Sequence, residues 1–135
     1  MLRIGKMTDY AFMILDALSE RPDKSLSAQY IANLTKLPEP TVSKIMKTLS
    51  RGGVVSSTRG AAGGYKLIKP APQLSLLEVV EVMEGKVRLV ECVDPAHDCQ
   101  VREKCNVKGQ WSGVNELLRN TLAGWSLNDL KEGRV

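Results

Sequence analysis

Residues 27–49 read SAQYIANLTKLPEPTVSKIMKTL, a pattern that predicts two short helices joined by a tight turn. Ser27 is a suitable N-cap, because its hydroxyl can accept a hydrogen bond from a free amide of the first helical turn. Leu26 before it and Ile31 after it are spaced for a hydrophobic staple. The first helix is therefore expected over Ala28–Thr35.

The second helix is expected to follow the turn at residues 36–39 and to begin with Pro40 at its first position. Its apolar positions fall on one stripe, formed by Val42, Ile45, Met46 and Leu49. Its small or basic positions fall on the opposite side, at Thr41, Ser43, Lys44 and Lys47. Two such helices form a helix-turn-helix, whose second helix can enter a DNA major groove. A plain helical hairpin with solvated lysines is the alternative.

A glycine-rich hairpin is predicted directly after these helices. Val54–Thr58 and Tyr65–Ile68 have the composition of two strands, and residues 59–64, RGAAGG, form the tip between them. Such a hairpin behind a recognition helix is the wing of a winged helix. Glycines such as Gly60 let the backbone approach phosphates closely, and Arg59 is suited to a minor groove or a phosphate. A nucleotide-phosphate loop is disfavoured, because the tip joins two strands and lacks the Gly-Lys-Ser/Thr ending of a P-loop.

The charge is unevenly divided along the chain. Residues 1–70 carry eleven Lys and Arg against five Asp and Glu, whereas residues 71–135 carry eight against ten. A basic front half favours a polyanionic partner, most simply double-stranded DNA. The acidic rear half does not.

Length and composition bound the remaining possibilities. With 135 residues, 43% of them hydrophobic, the chain can form one ordinary domain or a small domain with an appendage. It has neither an apolar run of eighteen residues nor a signal peptide, so a soluble, cytoplasmic protein with no membrane contact is expected. An enzyme is not expected, because one histidine and scattered carboxylates do not supply a nucleophile, a base and an acid.

The N-terminal segment predicts an amphipathic first helix with Asp9 in its first turn. The apolar positions are Tyr10, Ala11, Ile14, Leu15 and Leu18. Asp9 lies off this stripe, so it either complements the helix dipole or faces outward toward a partner.

Lys69–Gln73 forms a stiff, proline-containing connector and divides the chain into residues 1–70 and 71–135. Beyond it, Ser75 and Glu78 have the spacing of a capping box, with Leu74 and Val79 as its staple. The helix that follows is expected to run through Met83 and to end at Gly85. Residues 86–90 are expected to be short and extended, and to lead to the cysteines.

All three cysteines, Cys92, Cys99 and Cys105, and the only histidine, His97, lie within fourteen consecutive residues. Pro95, charged residues and the lack of apolar periodicity predict a loop folded around a ligand. A disulfide with a spare thiol, or three unconnected thiols, is one interpretation, although a reducing compartment disfavours the disulfide. Structural zinc bound by three cysteines and His97 is a second. The third is an iron-sulfur cluster held by three thiolates, with a fourth ligand from elsewhere.

A long helix is predicted after the cysteines. Its apolar stripe consists of Trp111, Val114, Leu118, Thr121 and Trp125, widened by Leu117 and Leu122. A winged domain of about 70 residues has little surface to cover so long a stripe. The stripe is therefore interpreted as a dimerisation helix that pairs with its symmetry mate, and the alternative is a helix that folds back on its own domain.

Taken together, these motifs resemble the Rrf2 family of bacterial transcription regulators. The resemblance spans Thr8-Asp9-Tyr10-Ala11, the helix-turn-helix, the wing sequence of residues 56–65, the helix after Ser75 and the cysteine triplet. It implies a mainly α fold with a small β-hairpin, a winged helix-turn-helix followed by a long C-terminal dimerisation helix. It also implies a homodimer whose iron-sulfur cluster controls DNA binding.

The resemblance further suggests which residues bind the cluster. Cys92, Cys99 and Cys105 match the family's cluster cysteines. In one branch a histidine follows the third cysteine by three positions, where this chain has Lys108. In another branch an aspartate in the setting of Asp9 completes the cluster from the partner subunit. Asp9 is therefore the predicted fourth ligand, with His97 as the fallback, and a [4Fe-4S] cluster is favoured over [2Fe-2S].

The same matching gives an expected DNA-binding set. Arg59 matches the family's wing arginine, and Thr41, Ser43 and Lys44 match its base-facing positions; Ser27, Lys47 and Gly60 complete the set. The resulting hypothesis is a cluster-sensing repressor of iron-sulfur assembly genes of SUF or ISC type. A nitric oxide-sensing repressor of the same architecture is the nearest alternative. A winged-helix module with structural zinc and no DNA role is another.

Overall fold

The protein is described from a computed structural model, in which residues 2–61, 63–93 and 105–133 are described, Cys92 and Lys108 only in their backbone. Predictions for Cys99 and His97 lie outside these residues. The helices and strands are α1 Lys6–Ser19, α2 Ala28–Thr35, α3 Glu39–Arg51, β1 Val55–Thr58, β2 Gly64–Leu67, α4 Leu76–Glu84, α5 Lys108–Gly124 and α6 Leu127–Glu132. Short 3-10 turns occupy Ala71–Gln73 and Glu91–Val93. No helix in the described ranges is long and apolar enough to span a membrane.

The helix-turn-helix forms as predicted, with one shift of a boundary. The Ser27 hydroxyl accepts a hydrogen bond from the Tyr30 amide at 3.1 Å and so caps α2. Helix α3 begins at Glu39 and not at Pro40, because the Pro38 carbonyl already accepts the first helical bond, from the Val42 amide at 3.1 Å. Its buried residues are the predicted stripe of Val42, Ile45, Met46 and Leu49.

The predicted wing is a two-stranded antiparallel hairpin in which Val55 pairs with Leu67 and Thr58 with Gly64. Each predicted strand is displaced by one residue at its start, and the second also ends one residue earlier. A third segment joins the hairpin, because the backbones of Leu26 and Tyr65 exchange hydrogen bonds of 2.9 and 2.7 Å. The wing is thereby attached to the residue that immediately precedes the α2 cap.

Gly64 makes this attachment possible. A Cβ atom at position 64 would lie 2.5 Å from the backbone carbonyl carbon and oxygen of Leu26 and 2.9 Å from the Ser27 nitrogen. These distances are shorter than any ordinary van der Waals contact, and backbone atoms cannot swing aside. Only glycine therefore fits where β2 crosses the chain in front of α2.

The apolar core extends beyond the winged helix. Buried residues of α1, α2 and α3 pack with Leu74 and Val79 of the α4 region and with Leu127 of α6. Helix α4 has the predicted capping box between Ser75 and Glu78, and Gly85 ends it with φ of +87°. The connector at residue 70 therefore joins two parts of the chain that share one core.

Helix α6 is not anticipated by the sequence pattern. The predicted stripe continued through Trp125, but α5 ends at Gly124 and Trp125 is extended. The Trp125 carbonyl accepts a hydrogen bond from the Leu76 amide at 2.9 Å, and the Leu127 amide donates to the Leu74 carbonyl at 2.8 Å. These bonds turn the chain back onto the start of α4, which places Leu127 in the core.

Candidate DNA-binding face and cysteine segment

Helix α3 presents a small, basic outer face. Lys44 and Lys47 are exposed, while Thr41 and Ser43 are half-buried beside them. The opposite stripe is anchored in the core, so the orientation of α3 is fixed by packing. These side chains offer hydroxyl and ammonium groups without bulk, which suits a helix that enters a major groove.

The wing tip adds a second exposed basic element. Arg59 and Gly60 are both exposed, and Gly60 has φ of +106°, a conformation that favours glycine. A Cβ at Gly63 would lie 2.4 Å from the Thr58 carbonyl oxygen, so the tip closes tightly on the end of β1. The tight closure leaves Arg59 projecting from the base of the tip.

A cleft between the wing and the start of α2 contains basic residues that the sequence pattern did not predict as DNA-binding. Arg21 and Lys24 line it together with Ser27, Tyr30 and Gly63. Both basic residues come from the polar segment between α1 and α2, and only the fold brings that segment alongside the wing. The basic clustering of the front half was the available signal, but it did not distinguish these two residues.

Asp9 is exposed in the first turn of α1, as its place off the apolar stripe predicted. Its backbone amide donates to the Gly5 carbonyl at 3.0 Å. Thr8, next to it, is buried. The Asp9 carboxylate therefore faces away from the core of its own chain.

The cysteine segment is described at its two ends. The 3-10 turn Glu91–Val93, which contains Cys92, packs against α5. Cys105 is half-buried with a free thiol and lies three residues before α5 begins. Among the residues the structure describes, no three potential ligands come together to hold a metal. Two of the three cysteine positions thus lie close to α5, one in the turn that packs against it and one just before its start.

Three side chains, which we call the polar clamp, hold the chain just before Cys92. Asn115 of α5 is only 7% exposed; its side-chain oxygen accepts from the Leu89 amide at 2.8 Å and its nitrogen donates to the Val87 carbonyl at 3.1 Å. Glu81 of α4 accepts from the Val87 amide at 3.2 Å. Arg119 of α5 donates to both Glu81 oxygens, at 2.6 and 3.3 Å. The Val87–Leu89 segment, α4 and α5 are therefore joined by hydrogen-bonded polar groups.

The electrostatics of the polar clamp favour its charged form. The hydrogen bond from Arg119 is the main cause that lowers the pKa of Glu81, and the Val87 amide acts in the same direction against partial burial. The same hydrogen bond raises the pKa of Arg119. A bidentate arginine-carboxylate pair fixes the relative orientation of its two side chains as well as stabilising both charges.

Helix α5 and its N-cap residue also carry an exposed apolar strip, formed by Val107, Trp111, Val114 and Leu117. Their exposed fractions are 52%, 41%, 46% and 68%. Leu118 and Leu122, by contrast, are half-buried toward the rest of the chain. The predicted stripe is thus divided between a face that packs within the protein and a face that does not.

The fold and its basic face define a winged helix-turn-helix protein of the DNA-binding class. A family model described as "Rrf2: Iron-dependent Transcriptional regulator" matches residues 4–133. The chain therefore belongs to the Rrf2 family of DNA-binding transcriptional regulators, which are not enzymes.

The chain is also similar to individual proteins. The chain is similar to Protein aau3 of Rhizobium meliloti, with 28% identity over 134 residues, 98% of this chain and 87% of that protein. It is similar to the HTH-type transcriptional regulator NsrR of Shouchella clausii, with 26% identity over 131 residues, 96% and 88% of the two chains. The structure of CymR, the global cysteine regulator of B. subtilis, superposes with a TM-score of 0.74 at 24% identity, covering 100% of both chains. The likeness to CymR shows the fold alone.

Proposed function

We propose that this protein is a homodimeric repressor that senses an iron-sulfur cluster and controls iron-sulfur assembly genes of SUF or ISC type. The observation that carries the proposal is the docking of the Cys92 turn on α5, the same helix that presents the exposed apolar strip. A ligand held by the cysteines would therefore act on α5, the helix that is best placed to determine the geometry of the dimer.

The donor set suits such a cluster. Thiolates are the usual ligands of iron-sulfur clusters, and Cys92, Cys99 and Cys105 supply three of them. Asp9 of the partner subunit is suited to be the fourth ligand, because the Asp9 carboxylate is exposed and turned away from the core of its own chain. A cluster with these four ligands would supply a centre that oxygen, nitric oxide or iron shortage can disturb, most easily at the hard carboxylate.

The dimer follows from the apolar strip. Its residues are Val107, just before α5, and Trp111, Val114 and Leu117 on the following turns, and a second copy of the strip would remove them from water. In such a twofold dimer each α3 would face one half-site of a palindromic operator. The polar outer face of α3 and the wing residues Arg59 and Gly60 would then contact DNA.

Regulation follows if binding of the cluster and binding of DNA are thermodynamically linked. The cysteines and the partner's Asp9 position would join two subunits through one ligand, so its presence changes the free energy of one arrangement of the α3 helices relative to another. The DNA affinity of the dimer then differs between the loaded and empty forms. Cys92 contributes by holding one end of that link against α5.

Anaerobic purification followed by an absorbance spectrum and an iron and zinc assay tests the proposal. We expect a brown protein with iron and sulfide, and DNA binding that changes when the cluster is removed. Colourless protein that contains zinc would replace the proposal by a structural zinc site. Protein that holds neither metal after attempted reconstitution would contradict any sensing role for the cysteines.

Asp9→Ala tests the fourth ligand. We expect a folded dimer that loses its visible absorbance severalfold faster in air than the wild type, because one ligand is missing. Asp23→Ala, which removes an exposed carboxylate between α1 and α2, is the matched control. Equal lifetimes for Asp9→Ala and the control would exclude Asp9 as a ligand.

A nitric oxide sensor with the same architecture is the second candidate. It is favoured by Lys108 at the position where another branch has histidine, and by the 26% identity over 131 residues with a regulator named NsrR. Titration with a nitric oxide donor under anaerobic conditions separates the two candidates. Release from DNA at one to a few equivalents supports the nitric oxide sensor, whereas release only on iron chelation or oxidation supports the first proposal.

A further inference from the structure

We infer that Glu81, Asn115 and Arg119, the polar clamp, are positioning residues that fix Cys92 for its ligand and connect it to α5. The inference deepens the proposed function, because it takes that ligand to be the iron-sulfur cluster. Its basis is the set of hydrogen bonds that these three side chains make to Val87 and Leu89 and to one another.

The clamp replaces the backbone partner that a β-strand would have. Asn115 binds the Leu89 amide and the Val87 carbonyl with the two ends of one amide group, at 2.8 and 3.1 Å. Glu81 takes the Val87 amide at 3.2 Å, so three backbone groups in three residues are satisfied by side chains. The predicted extended segment is thus held by α4 and α5 and pairs with no described strand.

The position of the clamp limits the freedom of Cys92. Only Val90 and Glu91 separate Leu89 from Cys92. Cys92 can therefore lie at most about 10 Å from the fixed amide of Leu89. Asn115 is 7% exposed, and a buried amide whose partners are withdrawn loses hydrogen bonds that water does not replace. The anchored geometry is therefore strongly favoured over a free segment.

The clamp also has a mechanical consequence for α5. Asn115 and Arg119 lie one turn apart on the face toward α4, while Trp111, Val114 and Leu117 lie on the exposed strip of the same helix. A helix moves as a unit, so any displacement of residues 87–93 that the clamp follows also displaces the strip. Occupancy of Cys92 and geometry of the dimer are coupled through these polar contacts.

Hydrogen exchange on the metal-free protein tests the anchoring. In Asn115→Ala the Leu89 amide loses its acceptor, and we expect it to exchange at least ten-fold faster than in the wild type. Asn120→Ala removes the same group from an exposed position on the same helix and should leave the rate unchanged. Equal Leu89 rates in the two variants, both with cooperative unfolding, would overturn the inference.

The cluster-loaded protein tests the coupling. We expect Arg119→Ala to lose its visible absorbance at least three-fold faster than the wild type, and the ratio of DNA affinities with and without the cluster to move toward one. Arg119→Lys keeps a cation beside Glu81 and should restore most of both properties. Lys131→Ala, which removes an ion pair to Asp16 and Glu20 far along the chain from the cysteines, is the matched control.

The two arms distinguish failure of the clamp from failure of the proposed function. A wild-type protein that binds its cluster normally, with Arg119→Ala unchanged in lifetime and affinity ratio, overturns the clamp and leaves the sensor intact. A wild-type protein that takes up no iron overturns the sensor. The exchange of Leu89 then upholds or overturns the clamp by itself.

Discussion

Arg59 is the exposed basic residue at the base of the wing tip in the proposed DNA-binding face. It sits at the base of a tip whose tight closure depends on Gly60 and Gly63. The glycines supply no side chain that could contact DNA. Any specific contact by the wing tip at this point must therefore be made by Arg59 or by the backbone.

Arg59→Ala is expected to weaken operator binding by about 1 to 3 kcal/mol, the usual cost of losing one base or phosphate contact. Fluorescence anisotropy at several salt concentrations measures both the affinity and the number of phosphate contacts. Lys131→Ala is the control, since Lys131 pairs with Asp16 and Glu20 on α1. Normal affinity in Arg59→Ala would exclude the Arg59 side chain from the interface.

Gly64 lies at the boundary between residue and element, because its missing side chain lets two segments touch. The backbone bonds between Leu26 and Tyr65 require this approach. The wing is thereby fixed relative to the α2 cap at Ser27. The spacing between the wing and the helix-turn-helix is a property of this crossing, and a substitution here acts on the whole hairpin.

Gly64→Ala is expected to destabilise the protein by roughly 1 to 3 kcal/mol, the typical cost of overpacking, because the new methyl group meets backbone atoms. Urea unfolding followed by circular dichroism measures the change in free energy of unfolding. Gly109→Ala is the control, since nothing lies within 4 Å of a Cβ at that helical position. A neutral Gly64→Ala would show that β2 does not need to approach Leu26 so closely.

The contact between α4 and α5 predicts a dependence of stability on pH. The pKa of Glu81 is lowered below its ordinary value of 4.5, chiefly by the hydrogen bond from Arg119. A carboxyl with a lowered folded pKa stabilises the protein above its unfolded pKa, and this contribution is lost as the pH falls through the folded value. The wild type should therefore be more stable than Glu81→Gln at pH 7.

Thermal unfolding at pH 7 and at successive values below 4.5 measures this difference. We expect the gap in melting temperature between the wild type and Glu81→Gln to shrink steadily as the pH is lowered. A gap that stays constant with pH would mean that the charge of Glu81 does not contribute, and that the substitution acts through packing alone.

Individual elements differ in how far local sequence predicts them. Helices α2 and α3, with the Ser27 cap and the buried stripe from Val42 to Leu49, were predicted because cap chemistry and apolar periodicity are local properties. Helix α6 was missed although Ser126 and Asp129 form a capping box, because the apolar Trp125 extended the preceding stripe past its end. The hydrogen bond from Leu76 to Trp125 that ends α5 is tertiary.

The site shows the same limit. The outward placement of Asp9 was predicted from its position off an apolar stripe, and its role as a ligand stays a prediction. Asn115 could not have been selected, because a polar residue on a helix is normally exposed and only the Val87–Leu89 segment makes it buried. Arg21 and Lys24 join the wing only after the chain has folded around Leu26.

At the scale of the whole molecule, the apolar strip on α5 is the surface that we propose to form the dimer. Leu117 is the most exposed of its four residues, at 68%. Exposed apolar residues that recur on neighbouring turns of one helix are typical of an interface. In the proposed dimer this surface, together with the link between the cysteines and the partner's Asp9 position, would set the distance between the two α3 helices.

Leu117→Glu is expected to convert the proposed dimer into a monomer, because each subunit would then bury a carboxylate in an otherwise apolar contact. Sedimentation velocity should show about half the wild-type mass, and operator affinity should fall because each half-site is then bound alone. Leu130→Glu, on α6, is the control for an added charge at an exposed leucine. A Leu117→Glu protein that stays dimeric would place the interface elsewhere.

The return of α6 to the core has a consequence for how the protein is made. Leu127 is 2% exposed and completes a core that otherwise comes mainly from the first half of the chain. During synthesis the winged helix therefore leaves the ribosome before Leu127, while part of its hydrophobic core is still missing. The winged helix is expected to reach full stability only after residue 127 has emerged from the ribosome.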